Sequence, residues 1–385
     1  MHSLRITGGR VLLRSDGEQN VDVALEDGVI AGIGRGGGGV EFDAGGLLVL
    51  PGIVDIHGDA FERQLQPRPG VGFSADIALQ DTESQLLANG ITTAFHGVTL
   101  SWEPGLRSLD AWRALLQALE SRLWTCDMRV HLRWEAYNLE ALDEALADIA
   151  AGRVHLLAFN DHTPPILKKI ADPVVGAKYS DRAGMKLDAF RALAERVGAR
   201  AGMVPAALER MAAAAREARL PMASHDDDAI ATRDAFRARG ARICEFPMEE
   251  EVARAARDAG DFVVMGCPNV VRGGSHLGWA SAARLAEAGL CTILSSDYFY
   301  PAMLRAAMIL ADRGVLDLPR AWALISTNPA AATALADRGA IAEGLRADLV
   351  LVDPALQRVV ATIVGGQIAY LTSAGAARLR HVAAA

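Results

Sequence analysis

The chain has 385 residues, of which 51% are hydrophobic and 22% are charged, and its formal net charge at pH 7 is −8. This length allows one large domain or two to three ordinary ones, and the acidic balance argues against a nucleic-acid-binding protein, whose surface is usually basic. No apolar run approaches the ~18 residues of a membrane span, and no signal peptide is visible at the N-terminus. The four cysteines are far apart and form no CxxC pair. We therefore expect a soluble cytoplasmic protein without a disulfide framework.

The first 50 residues alternate short apolar runs with turn residues. The runs "VDVALEDGVIAGIG" and "LLVLPG" are separated by "GGGG", a pattern that predicts short antiparallel strands and hairpins. Similar short runs return after about residue 338, in "RADLVLVD" and "RVVATIVGGQIAYL". We predict that residues 1–50 and 339–385 pair into one small β-sandwich domain.

Residues 51–338 differ from both ends, because strand-like apolar runs there alternate with helix-like segments such as "LEALDEALADIAA". Eight such runs occur in chain order: GIVDIHGD, ITTAFHGVT, RVHLRWEA, VHLLAFNDH, PMASHDDD, ICEFPM, FVVMGCPNVV and TILSSDYF. Eight strand-then-helix units predict an α/β fold of the (β/α)8 TIM-barrel type. The stretch near 160–205 is a long insertion between the fourth and fifth strands, and long loops of this kind are often lids or binding loops.

Polar side chains collect where the predicted barrel strands end. Barrel active sites occupy this rim, so we expect these side chains to converge although they are far apart in sequence. Imidazole and carboxylate ligands with an open position for water predict a site for one or two divalent metal ions, Zn²⁺ first, with Mn²⁺ or Fe²⁺ as alternatives. The predicted metal ligands are His57, Asp59, Glu135, His162, His225 and Asp297. Residues two apart on a strand face the same side, so His57 and Asp59 can bind one ion together.

Each candidate ligand also has a simpler interpretation, because a single histidine at a strand end is often a structural residue. The number of candidates at one rim favours the metal site. We leave Glu245 and His96 outside the ligand set, and we interpret His131 and His155, which lie within strands, as packed or structural residues. Asp297 is assigned two roles, as a metal ligand and as the catalytic group that accepts the proton of the attacking water.

A second set of candidates carries positive charge in an otherwise acidic chain. The only four lysines lie between residues 168 and 186, within the insertion. A solvated loop would explain them, and so would a mobile cationic flap over an anionic ligand. The stretches "PRPG" and "NVVRGGSH" hold arginines in turns suited to phosphate. The predicted substrate-binding residues are Arg63, Arg68, Lys168, Lys178, Arg272 and His276.

These charges predict a small anionic phosphorylated substrate as the partner of the protein. They predict no nucleic acid and no membrane as a partner. A homo-oligomer remains an open alternative, because nothing in the sequence sets the oligomeric state.

Several motifs resemble those of the amidohydrolase superfamily: "LLVLPGIVDIHGD", "SSD" and "STNPAAATALADRGAIAEGLRADLVLVD". Within that superfamily the chain resembles the α-D-ribose 1-methylphosphonate 5-triphosphate diphosphatases of the carbon–phosphorus lyase pathway, through "PGIVDIHGDAFERQLQPRPG", "HLRWE", "NDHTPP", "ASHDDD" and "MGCPNVVRGGSH". The resemblance implies a metal-dependent hydrolase of phosphonate catabolism that converts the triphosphate ester to the 5-phosphate plus diphosphate. The chain departs from the usual family pattern at Gly58 and Ala60, where Thr and Asn are usual, and at Trp134, where a smaller residue is common.

Two other functions remain open at the level of sequence. A C–N hydrolase, such as a deaminase or a cyclic-amide hydrolase, would use the same kind of metal site without needing a cationic lid. A non-catalytic assembly protein on a retained barrel would be expected to lose its ligands, whereas each predicted ligand position here has a competent side chain.

Overall fold

The structure, a computed structural model, describes residues 3–14, 17–34, 39–68, 70–274 and 281–382. The strands in these ranges are β1 Ser3–Thr7, β2 Arg10–Leu13, β3 Gly17–Asn20, β4 Val23–Glu26, β5 Val29–Ile33, β6 Gly39–Asp43, β7 Leu48–Pro51, β8 Ile53–Gly58, β9 Ile91–Leu100, β10 Asp127–Glu135, β11 Leu156–Asn160, β12 Met222–His225, β13 Ile243–Glu245, β14 Phe262–Gly266, β15 Ile293–Ser295, β16 Leu349–Asp353, β17 Arg358–Val364, β18 Gln367–Leu371 and β19 Leu379–Val382. The α-helices are α1 Glu62–Leu65, α2 Ala75–Ala88, α3 Leu109–Glu120, α4 Leu142–Ala150, α5 Thr163–Lys169, α6 Pro173–Arg182, α7 Leu187–Gly198, α8 Val204–Glu217, α9 Ile230–Arg239, α10 Glu250–Asp258, α11 Cys267–Arg272, α12 Ala282–Glu287, α13 Ala302–Asp312, α14 Leu318–Ala323, α15 Thr327–Ala332 and α16 Ser373–Ala376. Short 3-10 helices cover Gly105–Arg107, Leu139–Ala141 and Ala201–Met203.

A barrel of eight parallel strands forms the main part of the molecule. Strands β8 to β15 pair in chain order, each parallel to the next. Between the first and the last strand, Gly58 forms a parallel bridge to Asp297, and the Asp297 amide donates to the His57 carbonyl at 2.9 Å. Each strand overlaps one of the eight predicted runs, which confirms the predicted (β/α)8 barrel.

The barrel strands are apolar because both of their faces are covered. Every residue of β8, β9 and β11 is buried, as expected where helices pack outside a parallel barrel and side chains fill its inside. The helices instead bury a single stripe. In α3, Trp112, Leu115 and Leu116 recur at helical spacing and are buried, and Ser108 caps the helix by accepting from the Ala111 amide at 3.2 Å.

Both ends of the chain contribute to two further sheets. One sheet has the strand order β19-β6-β1-β4-β5, and the other has the order β18-β17-β16-β7-β2-β3. Side chains of both sheets share one apolar cluster, for example Ile6 and Leu25 with Val49 and Leu351. The β-sheets predicted from the two chain ends are therefore confirmed. The domain boundaries at residues 50 and 338 stay a prediction.

The insertion between β11 and β12 is helical, although the sequence analysis treated it as a long loop. Two contacts attach it to the segment after β9: Trp102 Nε1 donates to Thr163 Oγ1 at 2.8 Å, and Arg182 pairs with the buried carboxylate of Glu103 at 2.5 Å. Apolar residues at helical spacing explain the difference, because they give α5 to α7 an apolar cluster of their own. Its buried members are Ile166, Ile170, Ala183, Phe190 and Ala194.

Two further observations concern the cysteines and the helices. All four cysteines are buried free thiols, so no disulfide joins them. None of the helices in the described ranges has both the length and the apolar character needed to cross a membrane.

The closure of the barrel leaves little space around Gly58. A Cβ atom on Gly58 would lie 2.7 Å from Asp55 Oδ2 and 2.8 Å from Ser296 Oγ. These two groups are hydrogen-bonded to each other at 2.5 Å, and both side chains are buried. Glycine therefore fits this position in the present chain, where Asp55 and Ser296 occupy the space of a side chain.

We expect Gly58→Ala to lower the free energy of unfolding by about 1–3 kcal/mol, because the added methyl group must displace buried, hydrogen-bonded side chains. Gly202→Ala is the matched control, since a Cβ there meets no atom within 4 Å, and it should change the free energy by less than about 0.5 kcal/mol. Urea unfolding with a chelator present measures both variants without a contribution from metal binding. If Gly58→Ala were as stable as the wild type, Asp55 and Ser296 would not require glycine at this position.

Candidate metal centre and active site

Three buried side chains from three barrel strands meet inside the barrel. His57 on β8, His131 on β10 and Glu245 on β13 each place a ligand atom within 4.8 Å of the other two. One Glu245 oxygen lies 3.0 Å from His57 Nδ1, and the other lies 3.7 Å from His131 Nε2. All three side chains are at most 1% exposed. We refer to these three residues as the buried cluster.

The polar atoms of the buried cluster that face one another have no hydrogen-bond partner among the residues that the structure describes. His131 Nδ1 lies 3.0 Å from the carbonyl oxygen of Ile56. Because a carbonyl only accepts, Nδ1 carries the proton and Nε2 presents a lone pair towards Glu245. A buried lone pair and a buried carboxylate are unfavourable neighbours unless a proton or a metal cation lies between them. Two imidazoles and one carboxylate also form a donor set of catalytic zinc sites, so these residues fit a divalent metal ion.

Burial sets the protonation of the buried cluster. It lowers the pKa of His57 well below its usual value and lowers the pKa of His131 to about 3. Both imidazoles are therefore neutral at pH 7, which is the form that binds a metal. Burial also raises the pKa of Glu245, and a bound cation would oppose that change by favouring the carboxylate.

A second group of possible ligands lies beside the buried cluster, at the ends of β11 and β12. It consists of His162, His225 and Asp226, and we refer to it as the rim cluster. His162 Nε2 lies 3.4 Å from Asp226 Oδ2, and His225 Nδ1 lies 3.1 Å from Asp226 Oδ1. The two clusters adjoin, because the ring centres of His57 and His225 are 5.3 Å apart.

Left-handed backbone conformations occur directly after three of the barrel strands. Asp226, Phe246 and Asp297 have φ values of 57°, 52° and 56°, which is uncommon for aspartate and rare for a bulky residue. The Phe246 ring lies 4.8 Å from the ring of His57 and 5.2 Å from that of His225. Backbone strain of this kind gathers at functional sites, and here it accompanies the packing of Phe246 against a histidine of each cluster.

A guanidinium group contacts residues on both sides of the site. Arg133 on β10 places NH1 3.5 Å from Asp59 Oδ2 and NH2 3.1 Å from His225 Nε2. Its side chain is only 9% exposed. The structure thus places a fixed positive charge against two of the predicted metal ligands.

Glu135 has a clear structural role in addition to its predicted role as a ligand. Its Oε1 accepts hydrogen bonds from the amides of His162 and Thr163, at 3.0 and 3.2 Å, and from the Thr163 hydroxyl at 3.0 Å. These bonds satisfy amides at the start of α5. Its Oε2 lies 3.3 Å from His162 Nδ1. The structure therefore brings Glu135 to the edge of the rim cluster and uses it to hold His162 and α5.

Asp59 and Asp297 lie at the seam where the barrel closes, with the Asp59 amide donating to the Asp297 carbonyl at 2.9 Å. Burial, with the nearby charge of Asp59, raises the pKa of Asp297 to about 7. Burial also raises the pKa of Asp59 to about 6, against the opposing charge of Arg133. A carboxyl group with a pKa near 7 can accept and release a proton at neutral pH, which suits the role predicted for Asp297.

Those predicted substrate-binding residues that the structure describes lie at the surface. Arg63 lies over the Tyr298 ring, with its guanidinium carbon 5.9 Å from the ring centre. His276 lies outside the described residues. The other members of the set are also exposed: Arg68, Lys168, Lys178 and Arg272. In the described part of the chain, none of these basic side chains forms an ion pair with either cluster.

The structure also brings forward residues that the sequence analysis set aside or overlooked. His131, Arg133 and Glu135 stand two apart on β10 and so share the face that lines the barrel. The spacing of two residues that groups His57 with Asp59 also groups these three side chains. This spacing is the sequence signal by which His131 and Arg133 could have been recognised as residues of the site. Glu245 has the same strand-end position as the chosen ligands.

The barrel and its buried histidine–carboxylate cluster define a class of metal-dependent hydrolase, and the family comparison agrees. Residues 48–376 match the profile of the amidohydrolase family, and the chain belongs to this family. It is 34% identical over 318 residues, 80% of this chain and 84% of the relative, to α-D-ribose 1-methylphosphonate 5-triphosphate diphosphatase of Escherichia coli (strain K12). Both findings confirm the resemblance seen in the sequence motifs.

Other relatives share a shorter stretch or the fold. A dihydroorotase of Geobacter sp. (strain M21) is 40% identical over 81 residues, which are 20% of this chain and 18% of the relative. The crystal structure of 5-methylcytosine deaminase from Klebsiella pneumoniae, liganded with 5-fluorocytosine, has a TM-score of 0.62 at 16% identity, covering 96% of this chain and 98% of that chain. The second likeness concerns the fold alone.

We expect Glu245→Gln to weaken the binding of Zn²⁺ or Mn²⁺ by more than about 100-fold, because removing even an outer partner of a ligand commonly costs 10- to 100-fold. Glu135→Gln is the matched control. It should keep the metal while losing part of its bonding to the start of α5, at a cost of about 1 kcal/mol in stability. Metal content after equilibrium dialysis, measured by plasma mass spectrometry, distinguishes the two variants. Loss of metal from Glu135→Gln alone would favour the ligand set predicted from the sequence.

The raised pKa of Asp297 predicts that the metal-free fold loses stability as the pH rises through about 4 to 7. Over this range the folded protein keeps the Asp297 proton that the unfolded chain releases, so the folded state is favoured at the acidic end. In Asp297→Asn, the free energy of unfolding should therefore fall less between about pH 5 and pH 7.5 than in the wild type. Urea titrations with a chelator at both pH values measure this difference. An equal fall in the two proteins would mean that Asp297 does not retain its proton in the fold.

Proposed function

We propose that the protein hydrolyses α-D-ribose 1-methylphosphonate 5-triphosphate to the 5-phosphate and diphosphate, as a metal-dependent enzyme of phosphonate catabolism. The observation that carries this proposal is the 34% identity over 80% of the chain to the diphosphatase of Escherichia coli. A small, strongly anionic molecule is thus the proposed partner, rather than a nucleic acid or a membrane.

The distribution of positive charge supports an anionic substrate. Arg133 lies within the site, in contact with Asp59 and His225. Arg63 lies over Tyr298, the residue after Asp297. Guanidinium groups bind phosphate oxygens through two parallel hydrogen bonds. The exposed lysines of the insertion are free of ion pairs within the described ranges, and they would add charge without a fixed geometry.

The site residues divide the chemistry among them. His57, His131 and Glu245 would hold the metal ion, which when bound lowers the pKa of water and stabilises charge on a phosphoryl oxygen. Asp297 accepts the proton of the water that attacks the α-phosphorus, a task suited to a pKa of about 7. Arg133 donates hydrogen bonds to the phosphoryl oxygens as their negative charge is redistributed towards the departing diphosphate.

Phosphorus NMR of the metal-loaded protein with α-D-ribose 1-methylphosphonate 5-triphosphate tests the proposal. We expect the three triphosphate resonances to be replaced by those of diphosphate and a 5-phosphate monoester, because attack at the α-phosphorus releases the outer two phosphates together. Asp297→Asn is the control for enzyme-catalysed turnover and should lower kcat by at least about 100-fold. An unchanged spectrum from protein shown to contain metal would contradict the proposed substrate.

A C–N hydrolase is the second candidate. It is favoured by the local identity to a dihydroorotase and to an allantoinase of Bacillus licheniformis, which is 36% identical over 101 residues, 26% of this chain and 21% of the relative. A panel of dihydroorotate, allantoin and 5-methylcytosine tests it. Turnover of one of these compounds without turnover of the triphosphate would establish this alternative.

A further inference from the structure

The position of Arg133 bears on the number of metal ions that the site holds. We propose that the Arg133 guanidinium is the second cation of this site, and that the chain binds a single divalent metal ion, in the buried cluster. The inference rests on the metal-dependent site of the proposed function, and it adds the number of ions and the identity of the charge beside them.

The buried cluster is the part of the site that lacks a cation. Its inward-facing atoms are His57 Nδ1, His131 Nε2 and both Glu245 oxygens, and none has a hydrogen-bond partner in the described part of the chain. These groups are almost completely buried, so water cannot readily replace the missing partners. One metal ion would satisfy all of these atoms together.

The rim cluster, in contrast, already has the positive charge of Arg133 against one of its ligand atoms. His162 lies between two carboxylates, with Nδ1 3.3 Å from Glu135 and Nε2 3.4 Å from Asp226. His225 has the Arg133 guanidinium 3.1 Å from its Nε2, whereas its Nδ1 lies 3.1 Å from Asp226 Oδ1 without forming a hydrogen bond to any described residue. A second metal ion that used His225 Nε2 would have to displace the guanidinium.

The barrel is shaped to hold this guanidinium. Arg133 projects from β10, and a glycine on the neighbouring strand β9 leaves room for its stem, because a Cβ on Gly97 would lie 3.3 Å from Arg133 Cδ. The Arg133 Nε atom is buried without a hydrogen bond to any described residue. The stem is therefore packed inside the barrel and the charged end lies between Asp59 and His225, where its charge offsets part of the negative charge of the nearby carboxylates.

A permanent organic cation differs chemically from a second metal ion. A guanidinium keeps its charge at any pH at which the protein folds, and it donates hydrogen bonds without taking up a water molecule as a ligand. Its remaining N–H groups can bind an oxygen of a phosphoryl group through hydrogen bonds. The site would then combine one metal ion with one fixed donor of positive charge.

The number of bound ions tests this inference without reference to activity. After equilibrium dialysis of the full chain against Mn²⁺, plasma mass spectrometry should find about one ion per chain in the wild type. Arg133→Met should bind about two, because His225 Nε2 and Asp59 lose the competing cation. Arg129→Met is the matched control, since Arg129 lies on the same strand but pairs with Asp127 at 3.0 Å, and it should keep about one ion.

A count of two ions in the wild type, or of one ion in a folded Arg133→Met protein, would overturn the inference. Electron paramagnetic resonance of the Mn²⁺-loaded wild type provides a second test that does not depend on the variant folding. We expect the spectrum of isolated Mn²⁺ ions, and a spectrum of exchange-coupled pairs would contradict it. Neither measurement uses the triphosphate, so a failure of the proposed reaction is distinguishable from a failure of this inference.

Discussion

The hydrogen bonds between Asp55 and Ser296 hold the seam on which the rest of the site depends. One Asp55 oxygen accepts from the Ser296 amide at 3.0 Å and the other accepts from the Ser296 hydroxyl at 2.5 Å, joining the first barrel strand to the turn after the last. His57 lies two residues after Asp55, and Asp297 directly follows Ser296. The same pair of side chains therefore sets the spacing of a candidate metal ligand and a candidate proton acceptor, and it leaves Gly58 between them no room for a side chain.

The polar side chains in the barrel mouth differ in how deeply they lie and in which groups they contact. The deepest group consists of neutral imidazoles and a carboxyl group whose facing atoms lack partners within the described residues. Nearer the ends of β11 and β12, His162, His225 and Asp226 pair with one another and with Glu135 and Arg133. A buried site whose facing atoms lack hydrogen-bond partners favours a cation from outside the chain, whereas a site that already contacts a guanidinium gains less from one. This contrast gives the two clusters different capacities for metal, although both contain histidine and a carboxylate.

The fold was predictable from the sequence because strand-like apolar runs alternate with helix-like segments eight times between residues 51 and 338. The site was less predictable, because strand-end position says which rim a side chain reaches but not how deep it lies or what it contacts. His131 lies within a strand yet points into the barrel. Glu245 reaches the same cluster because its strand, β13, pairs with β12 and β14 in the barrel. Glu135 was predicted as a ligand because it ends a barrel strand. Its hydrogen bonds to the start of α5 could not be predicted, because the sequence analysis expected a loop where this helix lies.

The helical insertion has a consequence for how this protein can change over evolutionary time. Its apolar cluster is separate from the clusters that support the barrel, and it is attached near the rim through Trp102, Thr163 and the Glu103–Arg182 pair. Substitutions within it can alter the charge and shape near the mouth while the strands that carry the candidate ligands keep their packing. The insertion is therefore the part of the molecule near the site that can change most while the packing of the barrel strands is kept.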